Sequence, residues 1–240
     1  MGRRLGQHFL RSPGILEKIA EASCPIREDL VIEIGPGEGA LTQALLPRTD
    51  RLVAIELDDT LVPNLRLRFP TIEVVHSDVL KTDLKQWGPA AVAGNLPYYI
   101  TSPIVDHVLA MGPLLQHAVL MMQREVADRL VAQPGSRDFG FLTIATQARA
   151  QVEFLFPVPK GAFAPPPKVE SAVVRLTPLP SPILAGFLNF ASLCFRHKRK
   201  TLRNNLATEY PAIRDLAEGS LRAEQLPLED LKSLYARLVS

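Results

Sequence analysis

Between Leu30 and Val131 the chain alternates short apolar runs with amphipathic stretches, and this alternation constrains the fold more than any single motif does. The apolar runs are LVIEIG (Leu30 to Gly35), RLVAIELD (Arg51 to Asp58), TIEVVHSD (Thr71 to Asp78), AAVAGN (Ala90 to Asn95) and HAVLMM (His117 to Met122). Each has the length of a strand rather than a helix. Helical stretches at Gly39 to Leu46, at Thr60 to Phe69 and in QREVADRLV separate or follow them. A further helix over Pro13 to Cys24 carries Ile15, Leu16, Ile19 and Ala20 on one face. Strand and helix in turn, with short links, predict a parallel, doubly wound α/β sheet. QVEFLFPV and SAVVRLTP predict a closing pair of strands, partly antiparallel. Pro178, Pro180 and Pro182 mark a boundary, beyond which the pattern is helical to the end. LPLEDLKSLYARLV has a proline near its start, acids in its first turn and apolar residues at helical spacing. The expected organisation is a large α/β domain over 1–179 and a small helical domain over 180–240.

Composition narrows the class. No apolar run reaches the length needed to cross a bilayer, so the expectation is a soluble, cytoplasmic protein with no membrane partner. Cys24 and Cys194 are the only cysteines, which argues against a disulfide framework and suits a reducing compartment. The five histidines are scattered without metal-ligand spacing, so no metal is expected. Organised chain is expected to start by Gly6, so no signal or transit peptide is expected. Net charge is only +2, but it is unevenly spread. Arg3, Arg4 and Arg11 open the chain, and RHKRKTLR (Arg196 to Arg203) holds five Lys or Arg and no acid. A basic run of this kind is usually a solvated helix face. Its mixture with amides in KTLRNNL also fits a phosphate-contacting surface built from Lys198, Arg199, Lys200 and Arg203.

EIGPGEGALT places Gly35, Gly37 and Gly39 between a strand and a helix. Glycines there let the backbone turn tightly and approach a ligand closely. The spacing is not that of the dinucleotide fingerprint. Glu56 ends the second strand, where a carboxylate can accept from both ribose hydroxyls, and Asp78, followed by Val79, ends the third, where it can accept from an adenine amino group. Three neighbouring strand ends thus offer a loop, a ribose acceptor and a base acceptor. A dinucleotide enzyme fits this portion almost as well, but the chain offers no hydride-transfer constellation.

The fourth strand runs into NLPYY (Asn95 to Tyr99). An exocyclic amino nitrogen on a base is a poor nucleophile, because its lone pair is delocalised into the ring. Two acceptors on its two hydrogens favour a pyramidal nitrogen and stabilise the positive charge that grows there. The Asn95 side-chain oxygen and a main-chain carbonyl of Asn95–Leu96–Pro97 are such acceptors, with Pro97 stiffening the loop. Tyr98 can stack on a flat base. This is catalysis by positioning and preorganised electrostatics.

With these residues the chain closely resembles the KsgA-type small-subunit (16S) rRNA adenine N6-dimethyltransferases. The resemblance covers nearly the whole chain. GQHFL (Gly6 to Leu10) is similar to the family's N-terminal cofactor motif, with His8 where Asn is commoner. NLPYYITSP is similar to its catalytic motif nearly letter for letter, and LMMQREVADRL, FGFLTI, FAPPPKVESAVVRL and FRHKRKTLRNNL to later blocks. The resemblance implies a Rossmann-like class I methyltransferase domain, S-adenosyl-L-methionine as cofactor, and a helical rRNA-binding domain. It implies His8, Leu10, Gly35, Gly37, Glu56, Asp78, Val79 and Asn95 as cofactor contacts, and Asn95, Leu96, Pro97, Tyr98 and Phe163 as the catalytic set, with Phe163 a second stacking face for the target base. It also implies the substrate: two adjacent adenines in a hairpin near the 3′ end of small-subunit rRNA, within a pre-ribosomal particle, modified by a monomeric enzyme. The chain departs from the family pattern at Phe139, usually Tyr, at Phe141, usually Arg, and in SDVL, where Gly-Asp-Ala is common. Two other readings compete. One is the large-subunit rRNA methyltransferase class that confers macrolide resistance, whose motif is usually N-I-P-[YF]. The other is a non-catalytic ribosome-assembly factor on the same scaffold.

Overall fold

The computed structural model describes residues 8–180, 183 and 186–239. Gly6 and Gln7 of the N-terminal motif, Arg3, Arg4 and Pro182 lie outside the described residues. The chain divides into two compact units, one of residues 1–127 and 152–178, the other of 128–151 and 179–240.

The first unit is built on a sheet in which the expected alternation is realised. In chain order its elements are β1 (Phe9–Leu10), α1 (Pro13–Ser23), β2 (Glu28–Ile34), α2 (Ala40–Leu45), β3 (Thr49–Glu56), α3 (Val62–Arg68), β4 (Glu73–His76), β5 (Ala90–Asn95), α4 (Thr101–Leu109) and β6 (Leu115–Gln123). After α5 (Arg124–Leu130) and α6 (Phe141–Gln147) come β7 (Ala150–Val158), β8 (Phe163–Ala164) and β9 (Ser171–Pro178). Seven strands form one sheet in the order β4-β3-β2-β5-β6-β9-β7. β2 pairs in parallel with both β3 and β5, β3 with β4, and β5 with β6, whereas β9 runs antiparallel to β6. The chain steps outward from β2 to β4, then returns to place β5 on the other side of β2. That reversal leaves a crevice at the carboxyl ends of β2 and β5, where open α/β sheets bind ligands. Val31, Ile32, Val53, Ala54, Ala91, Val92, Ala93, Val119, Leu120 and Met121 are all buried. Helices cover both faces of a parallel sheet, so its central strands are apolar throughout rather than alternating. A second, two-stranded sheet pairs β1 with β8 antiparallel, Leu10 opposite Phe163; no sequence pattern announced it.

The second unit has its own core. α7 (Phe187–Cys194), α8 (Leu202–Leu206) and α9 (Leu228–Val239) contribute Phe187, Phe190, Cys194, Leu202, Leu206, Leu231 and Leu234. Phe139, Ile144 and Ala148 pack in the same cluster. The division is not a single cut: residues 128–151 group with 179–240, because Ala132, Phe139, Ile144 and Ala148 pack in the helical core. The basic run also differs from its expectation. It is not one helix: Phe195–Arg199 form a turn after α7, and α8 starts only at Leu202. The buried Asn205 side chain causes the break, donating from Nδ2 to the carbonyls of Cys194 (2.8 Å) and His197 (3.3 Å). Those carbonyls are capped instead of continuing the helical ladder. Lys200 and Arg203 therefore do not share a helix face.

Candidate active site

A cavity of about 310 Å³ opens at the carboxyl ends of β2, β3, β4 and β5, within the first unit. The glycine loop forms one wall, with Gly35, Gly37 and Gly39 at φ of 67, 59 and 81°. At Gly37 the reason is twofold. Its φ is left-handed, and a Cβ there would sit 3.1 Å from the Phe9 ring, which lies over the loop. Gly94 is needed for another reason. A Cβ at that position would stand 2.7 Å from the Ile34 carbonyl oxygen, so glycine lets β5 close on β2 where the two strands end.

Glu56 is buried at the end of β3. Its Oε2 accepts from the Gly37 amide (3.0 Å) and its Oε1 from the Asp58 amide (2.8 Å). These bonds fix the carboxylate in the cavity wall and leave lone pairs for a diol. Asp78 accepts from the Leu80 amide (3.0 Å) as the cap of a 3-10 turn over Val79–Lys81, and both Asp78 and Val79 line the cavity. Glu33, at the end of β2, has no assigned role in the sequence reading. It is fully buried and accepts from the Thr42 hydroxyl (2.6 Å). Burial pushes its pKa up to about 8, against the opposing pull of the Thr42 hydroxyl, with a smaller upward push from the charge of Glu56. Burial thus favours the neutral form of Glu33, and its bond to Thr42 ties the end of β2 to the first turn of α2.

The N-terminal strand closes the cavity from the opposite side. The His8 carbonyl accepts from Asn95 Nδ2 (3.3 Å). A carbonyl can only accept, so this bond orients the Asn95 amide and leaves Oδ1 as its acceptor for a ligand. The His8 ring donates from Nδ1 to the Pro165 carbonyl (2.9 Å) and stacks on Tyr98, with centroids 6.0 Å apart and planes inclined by 27°. Arg11 pairs with Glu38 of the glycine loop and lies over the Phe9 ring.

The NLPY loop is held at each residue. The Leu96 amide donates to Met121 of β6 (2.9 Å). The Pro97 carbonyl accepts from the Ile100 amide (3.2 Å) and from the Thr101 hydroxyl (3.1 Å), which closes a 3-10 turn over Tyr98–Ile100 ahead of α4. With the Pro97 carbonyl engaged within the loop, the Asn95 and Leu96 carbonyls remain as its candidate main-chain acceptors. The Tyr98 hydroxyl is fixed by Ser171 Oγ (2.6 Å), and burial raises its pKa despite that bond.

His8, Leu10, Gly35, Gly37, Glu56, Asp78, Val79, Asn95, Leu96, Pro97 and Tyr98 are thus brought to one cavity. Phe163 is not. It is 4% exposed, lies in the apolar core with Leu10, Ile19 and Val158, and is not among the lining residues. The second stacking face expected at Phe163 is therefore not presented to the cavity in this structure. Pairing of β8 with β1 sets Phe163 opposite Leu10 and carries it into the core. Lys198, Arg199, Lys200 and Arg203 are exposed in the second unit; Lys198 is engaged by the Arg137 carbonyl (2.6 Å) and by Glu224 (3.8 Å). Phe139 is buried there, while Phe141 is 40% exposed.

With this geometry in hand, comparison with known proteins is decisive. The family model for ribosomal RNA adenine dimethylase matches residues 2–232. The chain belongs to that family. It is 44% identical to a ribosomal RNA small subunit methyltransferase A of Acidobacterium capsulatum, over 98% of this chain and 90% of the relative. It is 42% identical to the protein of the same name in Chlorobium chlorochromatii, over 98% and 92%. Among solved structures it resembles a dimethyladenosine transferase from Plasmodium falciparum, with a TM-score of 0.83 and 29% identity over 96% of this chain and 97% of that one. It also resembles the 23S rRNA methyltransferase ErmE, with a TM-score of 0.72 and 31% identity over 97% and 100%. The Rossmann-like class I methyltransferase fold expected from the sequence is the one found.

Proposed function

We propose that the protein uses S-adenosyl-L-methionine to dimethylate the exocyclic amino groups of adenines in small-subunit rRNA, acting as a monomer on two adjacent adenines in a hairpin within a pre-ribosomal particle. The observation that carries this reading is the joining of two half-sites in one cavity: the glycine loop with Glu56 and Asp78, and an NLPY loop whose Asn95 amide is oriented by the His8 carbonyl. The cofactor fits the residues present. Glu56 is held with lone pairs for a ribose diol, Asp78 stands at the next strand end for a base amino group, and the glycine loop leaves room beside them.

When bound, the cofactor supplies an electrophilic methyl group on a sulfonium. The chain's own residues bind, orient and stabilise. Asn95 Oδ1 and a main-chain carbonyl, that of Asn95 or of Leu96, accept the two amino hydrogens of the target adenine. Drawing both hydrogens toward acceptors shifts the nitrogen toward a pyramidal geometry and places partial negative charge where positive charge grows. Tyr98 offers the ring face not covered by His8 to the base, and its bond to Ser171 prevents the ring from turning away. A base that reaches these groups must leave its stack, at a cost of a few kcal/mol that is least in a single-stranded loop.

The small-subunit reading is favoured over the large-subunit one by the relatives at 42–44% identity, whose names specify the small subunit. The test is incubation with labelled S-adenosylmethionine and separated small and large subunits, followed by nucleoside analysis. N6,N6-dimethyladenosine in the small subunit alone is the expected result. Label confined to the large subunit would overturn the reading in favour of the macrolide-resistance class.

A further inference from the structure

Two tyrosines follow Pro97, and only Tyr98 has a place in the chemistry described above. Tyr99 lines the same cavity but is 63% exposed, at its rim. A large aromatic left in water beside a base-binding cavity calls for a partner. The backbone beneath it is rigid. The Pro97 carbonyl accepts from both Ile100 and Thr101, and α4 begins at once behind the turn. The two rings sit on consecutive residues of a 3-10 turn, where successive side chains project about 120° apart. Tyr98 and Tyr99 therefore cannot grip the same base from one side. Tyr98 is also committed, with its hydroxyl on Ser171 and one face under His8.

From this geometry we infer that Tyr99 is the stacking platform for the nucleotide next to the target adenine, so that the loop handles two consecutive bases: one in the cavity against Tyr98, its neighbour outside on Tyr99. The inference rests on the proposed rRNA substrate. It assigns Tyr99 a positioning role, since its ring would touch the flanking base and not the reacting nitrogen. A flipped base leaves its neighbour with one exposed face, and an aromatic ring at the rim takes the place of the missing stack. Such stacking depends on a π-face and tolerates any base identity.

The test compares Tyr99→Ala, Tyr99→Phe and Tyr99→Leu with the parent chain, measuring kcat and KM for the small subunit together with calorimetric affinity for S-adenosylmethionine. The ring is mostly in water, so none of the three substitutions removes core packing. The alanine variant should raise KM for the subunit roughly tenfold, as expected for the loss of one base–aromatic stack, with cofactor affinity within about twofold of the parent. Phenylalanine should restore KM and leucine should not, because leucine returns bulk without a π-face. An unchanged KM in the alanine variant overturns the inference. Equal rescue by leucine also overturns it, and identifies an apolar protein contact instead. Failure of the parent chain to methylate the small subunit would instead defeat the underlying reading, and this inference with it.

Discussion

Asn95 shows how much of the chemistry depends on the orientation of one amide. The His8 carbonyl holds Nδ2, so Oδ1 is the atom presented, and Asn95→Ala removes that acceptor at little cost to the fold. By analogy with the loss of one oxyanion-hole donor, turnover should fall roughly 10²–10³-fold while most of the affinity for S-adenosylmethionine survives. Single-turnover kinetics with calorimetry checks both; near-normal turnover would remove Asn95 from the mechanism. Glu33 gives a second prediction at this scale. Its folded pKa of about 8 lies above the ordinary glutamate value of 4.5, so between those values the folded state holds a proton that the unfolded state has lost. Stability then falls as pH rises through that window, is fully present below 4.5 and levels off above 8. Glu33→Gln keeps an acceptor for the Thr42 hydroxyl but cannot ionise. Its melting temperature should therefore fall less steeply than the parent's between about pH 5 and 8, a comparison that scanning calorimetry in a buffer series makes directly. Parallel curves for the two proteins would show that Glu33 does not titrate there.

At the scale of elements, the site depends on how closely β5 approaches β2. Gly94 stands opposite Ile34, and a methyl group there would meet a backbone oxygen, which cannot move aside as a side-chain end could. Gly94→Ala should destabilise the protein by about 1–3 kcal/mol, the usual cost of overpacking a dense interior. Urea titration measures it, and a loss below about 0.5 kcal/mol, the range of ordinary surface changes, would mean that the strands can separate without penalty. The β1–β8 pair belongs to this scale as well. It is only two residues long on each strand, yet it brings Leu10 and Phe163 into the core and sets His8 beside Asn95 and Tyr98.

At the scale of the whole molecule, two units carry separate tasks in the proposed function. The first holds the cavity, and the second holds the basic turn between α7 and α8. Lys198 is engaged by the Arg137 carbonyl and by Glu224, so Arg199, Lys200 and Arg203 are the exposed cations on which phosphate binding would rest. Replacing those three by alanine should leave affinity for S-adenosylmethionine unchanged. It should lower the salt slope of small-subunit binding by roughly two to three units, since each phosphate a cation neutralises adds a little under one unit to that slope. Binding measured across a salt series tests this, and an unchanged slope would make the turn a solvated surface and move the RNA contacts elsewhere.

The sequence by itself determined what depends on local pattern. Apolar runs of strand length, separated by helical stretches, specified the parallel sheet and its order of elements, because burial on both faces leaves that signature in each strand. The glycine loop, Glu56, Asp78 and the NLPY loop were legible because each stands at a strand end, and strand ends converge in any doubly wound sheet. Tertiary structure decided what depends on residues far apart in the chain. Phe163 went to the core rather than to the cavity because β8 pairs with a strand more than a hundred residues earlier, and the face an edge residue presents follows from its partner. Asn205 ended a helix by reaching carbonyls eight and eleven residues back. Residues 128–151 joined the helical unit because their apolar faces found partners there. The raised pKa of Glu33 is of the same kind: its letter in the sequence is that of an ordinary acid, and burial between packed elements is what raises it.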